Sequence, residues 1–393
     1  MRSLRKEFAR GCIISALACA AAAQEQSPAT RSPLLVIPNA DRKQWQQIAE
    51  GLQWQLATPA LTNIVTGKGM QDFQVAVHAA IKSDAVDPAR VYLLGSAPEV
   101  PAVFYLASRW PEPWAAAAAL AGTPRPAIDT NRLFGVNSRL VPVLWVTGRN
   151  NEAVTLFEKL KAASYNVETR ESATPQEIFS WLARHRSEPH PPEVDCETDS
   201  PAFNHCYWIE VTKFDPAERN DVLIYTRVQA GSGASLDLGG FGYDMQAPGP
   251  GLLVTWLPEH YSGPLKLNDR IVSIGGKPLR DGREYVALMD QTTEERPVAV
   301  MVERGKQRLR LETSIVLPKR GTAITARVQG QYLVEMKEVQ VISRAVAQMK
   351  LTLPPEWVPA AINWNGVEVV KADAPGCWQL EVQKELMSGK KCR

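Results

Sequence analysis

The chain has little of what metal, redox and nucleic-acid chemistry requires. Its 393 residues include six cysteines and five scattered histidines. No Cys-x-x-Cys pair occurs and no Cys/His group has zinc-ligand spacing, so neither a metal site nor a cofactor is expected. An excess of one charge is also missing: 44 Lys and Arg stand against 42 Asp and Glu. That balance recommends neither a nucleic acid nor an anionic membrane as partner. The uncharged apolar run from Cys12 to Ala23 falls short of the about 20 residues that span a bilayer, so no stable transmembrane anchor is expected. With 45% hydrophobic and 22% charged residues, disorder, collagen and coiled coil are poor descriptions. The length suits two or three domains, each able to bury a core.

Arg2, Arg5, Lys6 and Arg10 precede that apolar run, and Ala21-Ala22-Ala23 ends it. This order is that of a secretory leader over residues 1–23, which implies a periplasmic or extracellular protein. A lipid anchor at Cys19 is the alternative, although Ala16 stands where lipoprotein signals place Leu. Loss of the leader removes four basic residues and Glu7, leaving 40 basic against 41 acidic side chains, a net charge of −1. Cys196, Cys206, Cys377 and Cys392 remain. In an oxidising compartment the close pairs Cys196/Cys206 and Cys377/Cys392 are natural disulfides, though four cysteines allow three connectivities.

Over residues 31–187, short β-branched runs (Leu34 to Ile37, Val91 to Leu94, Val141 to Val146) alternate with stretches of helical spacing. These are Met70 to Lys82, Glu99 to Trp110, Glu152 to Ala163 and Pro175 to His185. Strand and helix in alternation predict an α/β domain, a doubly wound parallel sheet covered on both faces. Residues 188–204, rich in Pro, Glu, Asp and Ser, read as a linker. Beyond it the chain turns β-rich, with connecting strands over 205–234, a unit over 235–318 and a C-terminal domain over 319–393. Strands are expected at Val222 to Gln229 and Tyr332 to Met336 among others, and one helix at Tyr285 to Gln291.

The run Val91-Tyr92-Leu93-Leu94-Gly95-Ser96-Ala97-Pro98-Glu99, then Trp110-Pro111-Glu112-Pro113-Trp114-Ala115-Ala116, resembles the core of secreted α/β-hydrolases of the polyhydroxybutyrate depolymerase, acetylxylan esterase and prolyl-oligopeptidase-like group. Val141 to Gly148 resembles the strand before their acidic residue, and Glu177 to Leu182 their last helix. The resemblance implies a nucleophile elbow at residues 95–99, but Ala97 takes the Ser position, Pro98 has no N–H for an oxyanion and Glu99 replaces the second Gly. Asn151 stands at the acid position, Pro38-Asn39-Ala40-Asp41 replaces the His-Gly-Gly loop, and Thr169 to Thr174, where the His is due, contains none. A rearranged serine site would use Ser96 with Glu152 and His185 or His190.

Gly251 to Leu257 followed by Leu265-Lys266-Leu267-Asn268-Asp269-Arg270-Ile271-Val272-Ser273-Ile274-Gly275-Gly276-Lys277-Pro278-Leu279 is similar to PDZ domains of bacterial envelope proteases. Such domains add a peptide strand to a sheet edge and hold its carboxylate on a glycine-containing loop. The resemblance implies that Gly240, Phe241, Gly242 and Tyr243 form that loop, with Tyr285 and Leu288 lining the groove. Asp269 is expected to orient the turn before its strand. The tail over 319–393 is similar to a small β-sandwich, with an Asn365-Gly366 hairpin. Its Trp357, Trp364 and Trp378 are either core or a polysaccharide-binding stripe. The reading that results is an exported pseudo-hydrolase that binds a protein C-terminus or strand. Its rivals are a secreted esterase or peptidase with a rearranged site, and a carbohydrate-binding envelope protein.

Overall fold

A computed structural model describes residues 31–392 apart from 41, 63–67, 151, 218–219, 221, 230, 245–246, 318–323 and 385. The leader, Cys19 and Asn151 lie outside the described residues.

The N-terminal part is a six-stranded parallel sheet: β1 (Ser32–Val36), β2 (Gln55–Ala57), β3 (Val86–Ser96), β4 (Ala116–Leu120), β5 (Val143–Val146) and β6 (Val167–Arg170), in the order β2-β1-β3-β4-β5-β6. Side chains alternate between two separate cores, as a strand's period of two requires. Leu34, Val36, Val91, Leu93, Val143 and Trp145 face helices α2 (Lys68–Ile81), α3 (Val100–Arg109) and α5 (Ala153–Ala162). Leu35, Ile37, Tyr92, Leu94, Leu144 and Val146 face α1 (Arg42–Gly51) and α6 (Pro175–Leu182). A short helix, α4 (Arg125–Asp129), follows β4. The sheet is thus doubly wound. Strand β4 reads Ala-Ala-Ala-Ala-Leu, too weakly hydrophobic to announce itself, and is nonetheless buried along its Ala run. Helix α3 sits so close that a Cβ on Gly95 would lie 2.7 Å from Val103.

The remaining strands are, in chain order, β7 (Glu193–Thr198), β8 (His205–Cys206), β9 (Ile209–Phe214), β10 (Ser235–Leu236), β11 (Gly242–Asp244), β12 (Leu252–Trp256), β13 (Arg270–Ile274), β14 (Lys277–Pro278), β15 (Arg296–Arg304), β16 (Gln307–Val316), β17 (Ala326–Leu333), β18 (Glu338–Arg344), β19 (Val346–Leu353), β20 (Ala360–Trp364), β21 (Val367–Ala372), β22 (Gly376–Gln383) and β23 (Leu386–Lys391), with helix α7 (Gly282–Gln291) after β14. An antiparallel sheet runs β10-β16-β15-β13-β12-β11, with β14 on β13, and α7 packs against its core. Two five-stranded sheets, β21-β20-β18-β17-β7 and β23-β22-β19-β9-β8, share a single buried cluster.

Three expectations need correction. Residues 188–204 are not a bare linker, because β7 lies within them and pairs with β17 from Cys196↔Val328 outward; its apolar Val194 and Cys196 join the shared core. Val222 to Gln229 forms no strand. It crosses the surface of the α/β part as an extended strap, held by Gly135 N–H to Thr226 O (2.9 Å) and Val228 N–H to Leu133 O (2.8 Å), with Val228 inserted into that part's core. Tyr332 to Met336 is the end of β17 and a turn into β18, where Lys337 adopts φ 50°.

The close cysteine pairs are joined. Cys196–Cys206 links β7 to β8, and so one sheet of the two-sheet part to the other; Cys377–Cys392 ties β22 to the end of β23. Among the described residues no helix is long and apolar enough to cross a membrane.

Candidate functional site

The strand order reverses direction between β1 and β3, and in open α/β sheets the C-terminal strand ends beside such a point form the usual crevice. Residues 95–99 stand there. Ala97 N–H donates to Leu120 O at the end of β4 (3.0 Å) and Glu99 N–H to Ser96 O (2.7 Å), so the turn is tied to the neighbouring strand and closes over Ser96. The stretch due to carry a His runs from β6 into the N-terminus of α6 and serves as its cap: Thr174 Oγ1 accepts from Glu177 N–H, and Glu177 Oε2 from Thr174 N–H (2.7 Å). Asn39, at φ 55°, exchanges two hydrogen bonds with the Leu61 backbone (2.8 and 3.0 Å) and so fastens the chain after β2.

The residues of a rearranged serine site have separate neighbours. Glu152 lies 3.8 Å from Arg125, His185 packs on Trp181 (ring centroids 4.5 Å apart) and His190 faces Trp357 (6.3 Å). Among the described residues no hydrogen bond joins Ser96 to either histidine. Trp357, Trp364 and Trp378 are 6%, 0% and 5% exposed, which places them in the core and rules out an exposed stripe for sugar rings.

The residues expected in the peptide groove come together, with two exceptions. Gly239, Gly240, Phe241, Tyr243 and Tyr285 line one cavity of about 830 Å³, which also takes in Val286, Met289 and Asp290 of α7. Leu288 instead packs on the sheet core, and Gly242 sits behind the cavity wall, where a Cβ would lie 2.9 Å from that of Trp256. Gly239 adopts φ 75°, which only glycine accepts without strain. Among the described residues the N–H groups of Gly240 and Phe241 donate to no protein acceptor. Among the described residues strand β11 pairs with β12 alone, at the sheet edge. Tyr243 and Tyr285 meet edge to face, centroids 5.4 Å apart, and burial pushes both phenols above their ordinary range. Asp269 accepts from Lys266 N–H (2.7 Å) and pairs with Arg304 (2.7 Å), which orients its turn.

The far wall was not legible in the sequence. Arg125, Ile128, Asp129 and Asn131, from α4 and the turn after it, line the same cavity, as do Val228 and residues 231–236. Arg125 lies 3.3 Å from Asp290, 3.6 Å from Asp129 and 3.8 Å from Glu152. Burial opposes its charge, but Asp290 and then Asp129 and Glu152 outweigh that and hold its pKa above the ordinary value. Burial also lifts the Asp129 carboxyl, with Arg125 opposing and Asp290 and Glu152 adding.

A second perturbed carboxyl sits between the α/β part and the β8–β9 hairpin. Glu112 accepts from Tyr207 N–H (3.1 Å) and lies 3.7 Å from His205. Burial pushes it up to about 7, the Tyr207 bond opposing and the charge of Glu210 adding. A carboxyl raised on folding stabilises the fold while protonated and loses that contribution as pH rises through about 7. Glu112→Gln, neutral throughout, should therefore be more stable than wild type by ~1–3 kcal/mol at pH 8 and equal to it at pH 4, read from urea midpoints.

No family model and no curated protein matches the chain. Among solved structures, a crystal structure of a thermostable esterase is similar over 42% of this chain and 57% of its own, at 14% identity and a TM-score of 0.32. The chain thus spans little more than half of that protein, at a likeness too low to bear on its chemistry.

Proposed function

We propose that this chain is an exported peptide- or protein-binding protein, in which a PDZ-like module over 235–318 holds the ligand and a hydrolase-like α/β part, without catalytic role, forms the scaffold. In this reading the two five-stranded sheets are a β-sandwich assembled from both sides of the inserted module. The observation that carries it is the loop at Gly239 to Phe241, whose undonated N–H groups border a cavity between edge strand β11 and helix α7. An edge strand beside a helix is the arrangement that accepts an added strand, with main-chain bonds for affinity. The absence of a scaffold nucleophile is supported by Ala97-Pro98-Glu99 at the elbow. Two disulfides fit an oxidising compartment.

The test uses the mature chain and a library of peptides presented with free C-termini, read by fluorescence anisotropy. Gly240→Val is the informative variant. A Cβ there meets only Pro258, at 3.9 Å, so the fold should stand while the side chain obstructs the approach to the loop amides. Losing hydrogen bonds to a carboxylate should weaken binding by about 10- to 100-fold, with Lys277→Ala unchanged. If no peptide binds, or if Gly240→Val binds like wild type, the assignment fails.

A further inference from the structure

We infer that the ligand site is composite: Arg125, carried by the α/β part, is the cation that meets a ligand's terminal carboxylate, so the groove takes free chain ends in preference to internal segments. This rests on the peptide-binding reading above. A strand added antiparallel to β11 ends opposite the start of β11, which is the end at which Gly239, Gly240 and Phe241 border the cavity. That end shares its cavity with Arg125 and Asp129 of α4. Among the described residues that line the cavity, Arg125 is the sole Lys, Arg or His.

The guanidinium is placed but not consumed. Both Nη atoms of Arg125 donate to the Asp290 carboxylate, at 3.3 Å each, longer than the about 2.7–2.9 Å of a tight charge-assisted bond, and no other carboxylate among the described residues comes nearer. A group with five donors so held retains capacity for a further acceptor. The loop amides supply the second side of the cradle.

A ligand carboxylate would join Asp129 on α4, Glu152 before α5 and Asp290 on α7 around one cation, with Asp237 and the neutral phenols of Tyr243 and Tyr285 also lining the space. Protonation of Asp129, already favoured by burial, relieves this charge. An added carboxylate pushes Asp129 in the same direction, so affinity for a free acid should rise as pH falls from 8 to 5, where a terminal carboxylate with pKa of about 3.5 stays ionised.

The experiment compares one selected peptide as free acid and as C-terminal amide, bound to the full mature chain at pH 5 and pH 8. Wild type should prefer the acid by about tenfold or more. Arg125→Ala should abolish most of that preference with little change for the amide, and Arg125→Lys should keep part of it. Asp290→Asn removes the neighbour at 3.3 Å while sparing the cation, and should strengthen acid binding severalfold. If Arg125 served only to latch α4 to α7, Arg125→Ala and Asp290→Asn would break the same contact and move affinity in the same direction for acid and amide alike. That outcome, an acid preference untouched by Arg125→Ala, or an acid affinity that falls as pH drops from 8 to 5, overturns the inference while leaving peptide binding intact. Failure of wild type to bind any peptide overturns the reading beneath it. Should Arg125→Ala not fold, the opposite signs expected for Asp290→Asn and Arg125→Lys decide the matter.

Discussion

Arg344→Ala should destabilise the two-sheet part by about 3–5 kcal/mol, the cost of leaving a buried charge without its partner. Arg344 is 2% exposed at the end of β18. It donates to the Thr325 hydroxyl (2.7 Å) and carbonyl (3.1 Å) and to Leu223 O, lies 3.4 Å from Glu197, and sits 3.8 Å from the centre of the Tyr225 ring. Glu197 is equally buried. Its other oxygen accepts from the N–H and hydroxyl of Thr226, both at 2.7 Å, while its backbone exchanges two bonds with the Asn137 side chain (2.7 and 2.8 Å). The pair therefore clamps the strap over 222–228 between the α/β part and the sheets. The variant should lower the urea midpoint and also expose the strap to proteolysis near Tyr225; an unchanged midpoint would show that the charge pair contributes nothing net. Arg344→Met, which fills the volume but leaves the buried Glu197 without its cation, should cost nearly as much.

Gly135→Ala should cost about 3 kcal/mol or more, at or beyond the upper end of overpacking effects. A Cβ on Gly135 would lie 1.7 Å from the carbonyl oxygen of Ala163 and 2.7 Å from its carbon. The obstacle is backbone at the end of α5, which cannot rotate away as a side chain does. Yielding would displace the turn that leads into β6, or break the Gly135 N–H bond to Thr226. Gly51→Ala is the control. Nothing lies within 4 Å of its Cβ, and the change should be neutral or stabilising by up to about 1 kcal/mol. Equal urea midpoints for Gly135→Ala and wild type would contradict the packing described.

How legible this was depends on the kind of signal. Strands β1, β3 and β5 carry short uncharged apolar runs, and α2, α3, α5 and α6 have clear helical spacing, so each was readable within a few residues. Strands β2 and β4 were not, the first being three residues long and the second alanine. Helix α1 carries so many Gln, Lys and Arg that its apolar stripe reduces to Trp45, Ile48 and Ala49. Strand β7 was hidden by composition, since Glu, Asp and Thr dominate it; three of them, Asp195, Glu197 and Thr198, are buried, where tertiary partners such as Arg327 and Arg344 neutralise the acids. In the candidate site the glycine-aromatic loop and Tyr285 were visible as a local pattern. Arg125 and Asp290, 165 residues apart, share no pattern, and only the folded chain brings them together.

Strand β7 also dictates an order of events during folding. It must find β17 across a gap of 132 residues, as between Asp195 and Arg327. Closing so long a loop of flexible chain is entropically costly and slow. The intervening antiparallel sheet has its own apolar core and most of its strand pairings are between near neighbours, so it can collapse first and shorten the effective loop. A nascent chain would then hold β7 as an orphan strand, its Val194 and Cys196 uncovered, until everything through β17 has been made. That waiting strand is open to mispairing with a neighbour, and truncation anywhere before residue 326 would make it permanent.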